Sequence, residues 1–154
     1  MNVYDSILHF LAKSGVEYRT FEHEPVRTSE QAAAVRGTPL ERGAKALLLE
    51  CGEDLVLAVL SAASKVDFRA LKQLLGTKRV QMAAAEKVRA VTGCEPGGVP
   101  PFGHFFGLRV IVDPSLLENE WIDFNAGERT RSVEMRAQDY VQLSGAEVLP
   151  FAQG

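Results

Sequence analysis

The spacing of apolar residues changes several times along the chain, and each change marks an element. Val3, Ile7, Leu8 and Leu11 recur at helical spacing, and Gly15 follows as a C′ residue, which predicts an opening helix. Val16, Tyr18 and Thr20 alternate as a short strand, followed by a turn-prone stretch around His23-Glu24-Pro25. Thr28-Ser29-Glu30-Gln31 reads as a capping box, with Thr28 at the N-cap and Gln31 at N3, opening a helix that runs to Gly37. Residues 44–51 and 55–61 are continuous apolar runs around Gly52-Glu53-Asp54, which predicts a hairpin with both faces of both strands buried. Asp67 can cap a helix carrying Phe68, Leu71, Leu74 and Leu75, closed by Gly76. A short strand at 79–82 and a helix at 85–91 ending at Gly93 come next. Beyond them lie a strand at 108–112, paired strands at 121–124 and 132–136 around Asn125-Ala126-Gly127-Glu128, a helix at 137–143, and a last strand at Val148-Leu149.

Helices and strands interleave, yet several strands are joined by hairpins. That combination predicts an α+β fold with a mixed sheet. No internal repeat or low-complexity linker breaks the chain, so residues 1–154 are expected to form one domain. A composition of 46% hydrophobic and 24% charged residues is that of an ordinary soluble protein. The net charge of −3 argues against a general nucleic-acid coat, while leaving room for a local basic patch at one RNA end. The longest apolar run, 55–60, is too short to span a bilayer, and the N-terminus lacks a signal-peptide pattern. Cys51 and Cys94 form no C-x-x-C pair, which suits reduced thiols and a cytoplasmic location.

One stretch cannot be the interior of a helix or a central strand. Thr92-Gly93-Cys94-Glu95-Pro96-Gly97-Gly98-Val99-Pro100-Pro101-Phe102-Gly103 holds four glycines and three prolines in twelve positions. It predicts a stiff loop whose N–H donors come from Gly97, Gly98, Val99, Phe102 and Gly103, suited to an oxyanion or a planar polar group. The alternative is a structural turn that packs Phe102 on the core. The loop is neither G-x-G-x-x-G nor a Walker A sequence, so nucleotide binding is not supported.

Lys45 is the most out-of-place charge, sharing a strand face with Leu47 and Leu49. It is either a fixed cation on a cleft floor or a strand-end lysine reaching water. Ser61, Ser64 and Asp67 lack a G-x-S-x-G elbow and an obvious histidine partner, so a serine hydrolase is not supported. Cys94 with His104 is a conceivable nucleophile and base for a small-molecule amidase or esterase. No metal-ligand spacing is present, and neither metal nor cofactor is expected. Arg129 and Arg131 flank the Asn125 turn and are the best candidates for RNA-backbone contacts.

These features together resemble the YbaK/prolyl-tRNA synthetase-associated editing domain, also called the INS-like superfamily. The resemblance covers nearly the whole chain and rests on residues 26–33, on Gly43-Ala44-Lys45-Ala46-Leu47, and on Ser61 through Val66-Asp67. It rests also on Thr92-Gly93 leading into Gly97-Gly98-Val99-Pro100-Pro101-Phe102-Gly103, and on Asn125-Ala126-Gly127 followed by Ser132-Val133. It implies a partly barrel-like, bifurcated mixed sheet flanked by helices, and a free-standing hydrolase that clears mischarged aminoacyl-tRNA in trans. Lys45 matches the family's functional lysine near the tRNA 3′ end, and Gly97 through Pro101 match its G-x-x-x-P loop. Lys45, Gly97 and Gly98 are thereby expected to carry the chemistry. Ser61, Val99, Pro100, Pro101, Phe102, Asn125, Ala126 and Gly127 are expected to hold the substrate. Implied partners are a tRNA 3′ end carrying an amino acid and, as a further candidate, an aminoacyl-tRNA synthetase, with no membrane and no DNA. Alanine-specific members place His-Pro where this chain has Asn125-Ala126, which points instead to seryl- or threonyl-tRNA, with Cys-tRNA(Pro) and Ala-tRNA(Pro) as alternatives. A reactive ester needs only positioned water and oxyanion stabilisation, so the absence of a triad fits. The competing reading is a non-catalytic tRNA- or macromolecule-binding module of the same fold.

Overall fold

A computed structural model describes residues 2–24 and 29–153. Helix α1 (Val3–Ser14) buries Tyr4, Ile7 and Leu11 on one stripe. Asn2 caps it by accepting from the Asp5 N–H, and Gly15 ends it in the left-handed region. Strand β1 (Tyr18–Glu22) follows, then α2 (Ser29–Arg36). The expected cap at Thr28 lies outside the described residues. Strands β2 (Ala44–Cys51) and β3 (Asp54–Ser61) form the expected hairpin in antiparallel register from Ala44 with Ser61 to Cys51 with Asp54. Its turn is only Gly52-Glu53, with Gly52 at φ +64°, the conformation a two-residue hairpin turn needs.

Asp67 caps α3 (Phe68–Leu75) by accepting from the Ala70 N–H at 3.0 Å, as the sequence predicts. Strand β4 (Val80–Met82), helix α4 (Ala85–Thr92), strands β5 (Arg109–Val112), β6 (Trp121–Asn125) and β7 (Arg131–Arg136), helix α5 (Ala137–Ser144) and strand β8 (Glu147–Val148) complete the described elements. The five-stranded sheet runs β4-β2-β3-β5-β8 and is mixed: β3, β5 and β8 are parallel neighbours, and β2 is antiparallel to both its own. The three-stranded sheet β1-β7-β6 is antiparallel. The two sheets do not close into a barrel. Among the described residues they meet at the bridge Gly43 to Asp123, which is where the sheet bifurcates.

Strand alternation explains where the cores lie. Leu48, Leu57, Val59, Val110 and Val112 face a first core, and so do Ile122, Phe124, Val133 and Met135 of the smaller sheet. That core therefore lies between the sheets, closed by Ile7 and Leu11 of α1 and Tyr140 of α5. The opposite face of the larger sheet carries Leu49, Val56, Ala58, Leu60 and Ile111, packed with Leu71 of α3 and Phe151 in a second core. The opposite face of the smaller sheet carries Asp123, Asn125, Ser132 and Glu134.

Candidate functional site

The loop after α4 opens with a tight turn. Glu95-Pro96-Gly97-Gly98 closes through a hydrogen bond from the Gly98 N–H to the Glu95 carbonyl at 2.8 Å. Proline in second place and Gly97 at φ +89° in third are the signature of a type II turn, which needs glycine there. The carbonyls beyond are anchored to the protein. Gly97 accepts from Asn125 Nδ2 at 2.6 Å, Gly98 from the Gly127 N–H at 2.8 Å, and Pro101 from the Tyr140 hydroxyl at 2.7 Å. A planar trans peptide points its N–H opposite its carbonyl, so holding Gly98 and Pro101 fixes the direction of the Val99 and Phe102 N–H groups.

Of the expected donors, Gly98 is not available, because its N–H closes the turn. Among the described residues the N–H groups of Gly97, Val99 and Phe102 have no hydrogen-bond partner. Val99 is 5% exposed and Phe102 is fully buried. An unpaired N–H in such surroundings is costly unless a ligand or water meets it. Phe102 was expected to line the substrate. Its ring instead sits edge-on to Phe10, Phe124 and Tyr140 and serves as the loop's apolar anchor. Gly103 is needed behind it, since a Cβ there would lie 2.5 Å from the Leu108 carbonyl oxygen.

Asn125 and Gly127 come to the loop, bonding the Gly97 and Gly98 carbonyls. Ala126 is fully buried and its N–H bonds the Arg131 carbonyl. Gly127 sits at φ +90° with Val3 so close that a Cβ would clash. Asn125 pairs across the sheet with Ser132, and Asp123 with Glu134. Asp123 and Ser132 are fully buried and Glu134 is 5% exposed. Glu134 Oε2 accepts from Arg42 Nη2 at 2.5 Å, and Arg19 approaches Glu134 Oε1 at 3.5 Å. This face is thus polar and enclosed. Sequence reading names Asn125 but misses His23 and Ser132, which contact each other at 2.8 Å.

Lys45 lies two residues past the seam at Gly43. Its Nζ donates to the Ser64 carbonyl at 2.5 Å, and burial, opposed by the charge of Glu30, holds its pKa below the ordinary lysine value. Among the described residues it shares no hydrogen bond with the glycine loop. Ser61 was expected beside the substrate. It pairs with Ala44 and therefore faces away from Lys45, which pairs with Leu60. The Ser61 hydroxyl donates to the Glu41 carbonyl and accepts from the Ala63 N–H, so it holds a turn together.

The Cys94–His104 pair does not form. Cys94 is 3% exposed, burial pushes its thiol pKa up, and its sulfur bonds the Thr92 carbonyl. His104 stacks on Phe10 and Phe105 instead, and burial lowers its pKa. A buried, protonated thiol is a poor nucleophile. Arg131 lies over the Tyr4 ring at 4.6 Å and 3.6 Å from Glu128, so it is engaged within the protein. Arg129 lines an open cavity of about 420 Å³ beside Gly98 and Gly127, with Arg89, Glu95 and Glu128 on its walls. Among the described residues, no group of three or more His, Cys, Asp or Glu side chains is placed to hold a metal ion. No helix there is long and apolar enough to cross a membrane.

The fold and the anchored loop define a class: an α+β domain that presents directed backbone donors next to an enclosed polar sheet face. Comparisons with known proteins narrow it. The model of the family described as the aminoacyl-tRNA editing domain matches residues 23–143. The multifunctional Ser/Thr-tRNA deacylase ProXp-y of Escherichia coli K12 is 34% identical over 150 residues, covering 94% of this chain and 90% of that protein. A proline–tRNA ligase of Bacillus licheniformis is 34% identical over 92 residues, which cover 59% of this chain and 16% of the ligase. The crystal structure of a candidate trans-editing enzyme for prolyl tRNA synthetase superposes with a TM-score of 0.88 at 24% identity, covering 100% of this chain and 99% of that one. The chain belongs to the aminoacyl-tRNA editing domain family.

Proposed function

We propose that the protein is a trans-editing deacylase that hydrolyses the ester of mischarged aminoacyl-tRNA, with seryl- or threonyl-tRNA as its substrates. The observation that carries the reading is the anchored loop: its carbonyls at Gly97, Gly98 and Pro101 are tied down, while the Gly97, Val99 and Phe102 N–H groups have no partner among the described residues. The choice of amino acid rests on the 34% identical Ser/Thr-tRNA deacylase and on Asn125 where alanine-specific members carry histidine. A protein acting on charged tRNA would work in the cytoplasm, and the similarity to a proline–tRNA ligase supports a synthetase as its candidate partner.

In this mechanism the ester carbonyl oxygen accepts from the free loop donors. Water adds to the carbonyl carbon, and the oxyanion of the tetrahedral intermediate is met by the same N–H groups. The bond to the ribose oxygen then breaks, and the ribose hydroxyl leaves with a proton, giving free amino acid and uncharged tRNA. Lys45, half-buried beside Glu30, supplies a fixed cation for the phosphate-bearing 3′ end. Gly98, held at both its N–H and its carbonyl, pins the cradle, and Phe102 anchors it. With Ser61 turned away, Asn125 is the side chain left to contact a substrate hydroxyl.

The test is a panel of mischarged tRNAs assayed under single turnover. Wild type should clear Ser- or Thr-tRNA faster than the others, and Lys45→Ala should lower the rate by roughly 100-fold, the scale of losing one aligned electrostatic contact. Rates no faster than spontaneous hydrolysis across the panel would sink the reading and favour a tRNA-binding module without turnover.

A further inference from the structure

Two polar side chains that the proposed mechanism leaves unused stand in line with it. His23 follows β1, and its N–H bonds the Thr130 carbonyl, which continues the β1–β7 pairing by one residue. Its ring contacts the Glu24 carbonyl through Nδ1 at 2.9 Å and Ser132 Oγ through Nε2 at 2.8 Å. Ser132 Oγ reaches Asn125 Oδ1 at 3.3 Å, and Asn125 Nδ2 donates to the Gly97 carbonyl at 2.6 Å. The chain of contacts therefore runs from His23 to the glycine at the apex of the cradle, across residues 109 and 28 positions apart.

We infer that His23 and Ser132 are positioning residues, which through the Asn125 amide set the orientation of the Gly97 peptide and of the donors around it. The inference rests on the proposed use of that loop as the ester cradle. The proton inventory shows why the coupling is directional. The Glu24 carbonyl can only accept, so Nδ1 carries a proton. Among the described residues, the single hydroxyl proton of Ser132 has His23 Nε2 and Asn125 Oδ1 as neighbouring acceptors. The Ser132 oxygen is thus held by contacts on both sides, at 2.8 Å to His23 and 3.3 Å to Asn125, and a change at one is felt at the other. The amide of Asn125 is fixed in turn, because its NH₂ must face the Gly97 carbonyl and its oxygen must face Ser132. Removing the imidazole releases the hydroxyl, then the amide, then the peptide at φ +89°.

Two substitutions separate this role from a local one. Asparagine reaches only as far as Nδ1, so His23→Asn keeps the contact with the Glu24 carbonyl and loses Ser132. Glutamine reaches as far as Nε2, so His23→Gln keeps the contact with Ser132. His23→Asn should lower kcat by roughly 10- to 100-fold with KM within about twofold, the signature of misplaced donors and not of lost binding. His23→Gln should recover most of that loss, and Ser132→Ala should add little to His23→Asn, because both break one chain. Amide NMR reads the same coupling without any substrate: His23→Asn should shift the Gly97 and Gly98 amide signals and the Asn125 side-chain NH₂, and His23→Gln should move them less. A fully folded His23→Asn protein with unchanged Gly97 and Asn125 signals overturns the inference. If those signals shift while wild type hydrolyses no mischarged tRNA, the coupling stands and the deacylase reading falls. If Asn and Gln behave alike in both measurements, His23 only braces its own turn.

Discussion

The two sheets of this domain bury different chemistry. The five-stranded sheet is apolar on both faces, with Leu57 and Val59 turned to one core and Val56, Ala58 and Leu60 to the other. The three-stranded sheet gives Ile122, Phe124, Val133 and Met135 to the core and keeps Asp123, Asn125, Ser132 and Glu134 on its other face. Three of those four are as buried as the core itself. Enclosing polar groups costs free energy unless each finds a partner. The large sheet therefore reads as the scaffold. The small one holds an arranged polar surface partnered by Arg42 at Glu134, by His23 at Ser132 and by the Gly97 carbonyl at Asn125, the last of which ties it to the loop.

The largest effect on stability should come from the apolar sheet. Leu57 is fully buried at the centre of β3, and Leu57→Ala should cost about 3 kcal/mol of unfolding free energy by chemical denaturation. Its deacylation rate per folded molecule should stay near that of wild type. A matching collapse in turnover would break the division between scaffold and polar face.

A smaller loss of stability with a larger loss of function is expected on the polar face. Glu134→Ala leaves Arg42 without its carboxylate, but the Arg42 side chain is 27% exposed and can reach water. The cost should be about 1–2 kcal/mol, below that of a fully buried broken pair. Turnover measured under single-turnover conditions should fall more than in Leu57→Ala, because Glu134 shares its face with Ser132 and Asn125. Glu134→Gln, which keeps the shape and one acceptor, should lie between wild type and Glu134→Ala in both measurements. Equal turnover in all three would mean that this face only supports the fold.

Most of the scaffold was legible in the sequence because its signals are local. Asp67 and Gly76 bracket α3, Gly15 and Gly93 end α1 and α4, and Gly52 turns the hairpin, each by a mechanism confined to a few residues. The polar face was not legible. In 121–125 and 131–136 polar and apolar residues alternate, and alternation alone reads as one face in the core and one in water. The second face is closed by partners distant in sequence, with Arg42 on Glu134 at a separation of 92 positions and His23 on Ser132 at 109. Phe102 had two readings, a substrate contact implied by the family resemblance and a side chain packed on the core, and its ring packs against Phe10, Phe124 and Tyr140. A signal that could have been used is the shared parity of Asp123, Asn125, Ser132 and Glu134, four polar residues set to one side of two otherwise apolar strands.

The smallest expected effect on stability belongs to Lys45, the half-buried charge that the apolar sheet carries beside its seam. Burial is the main influence on its ammonium and lowers its pKa below 10.5, Lys65 adds to that, and Glu30 opposes it. Lysine is cationic below its pKa, so this cation is lost at a lower pH than an exposed lysine would lose it. Enzyme-dependent deacylation, corrected for spontaneous hydrolysis, should therefore decline on the alkaline side before pH 10.5 is reached. Lys45→Arg, which stays charged through that range, should remove the decline even if its overall rate is lower. The stability sign is the same test seen from folding. The folded pKa is depressed, so between it and 10.5 the unfolded chain binds more protons than the folded one, and stability rises with pH across that window. Lys45→Met should remove that rise without touching the carboxylates that act at low pH. If neither the alkaline decline nor the rise in stability depends on residue 45, its ammonium is hydrated like any surface lysine, and the contrast between the sheets holds without exception.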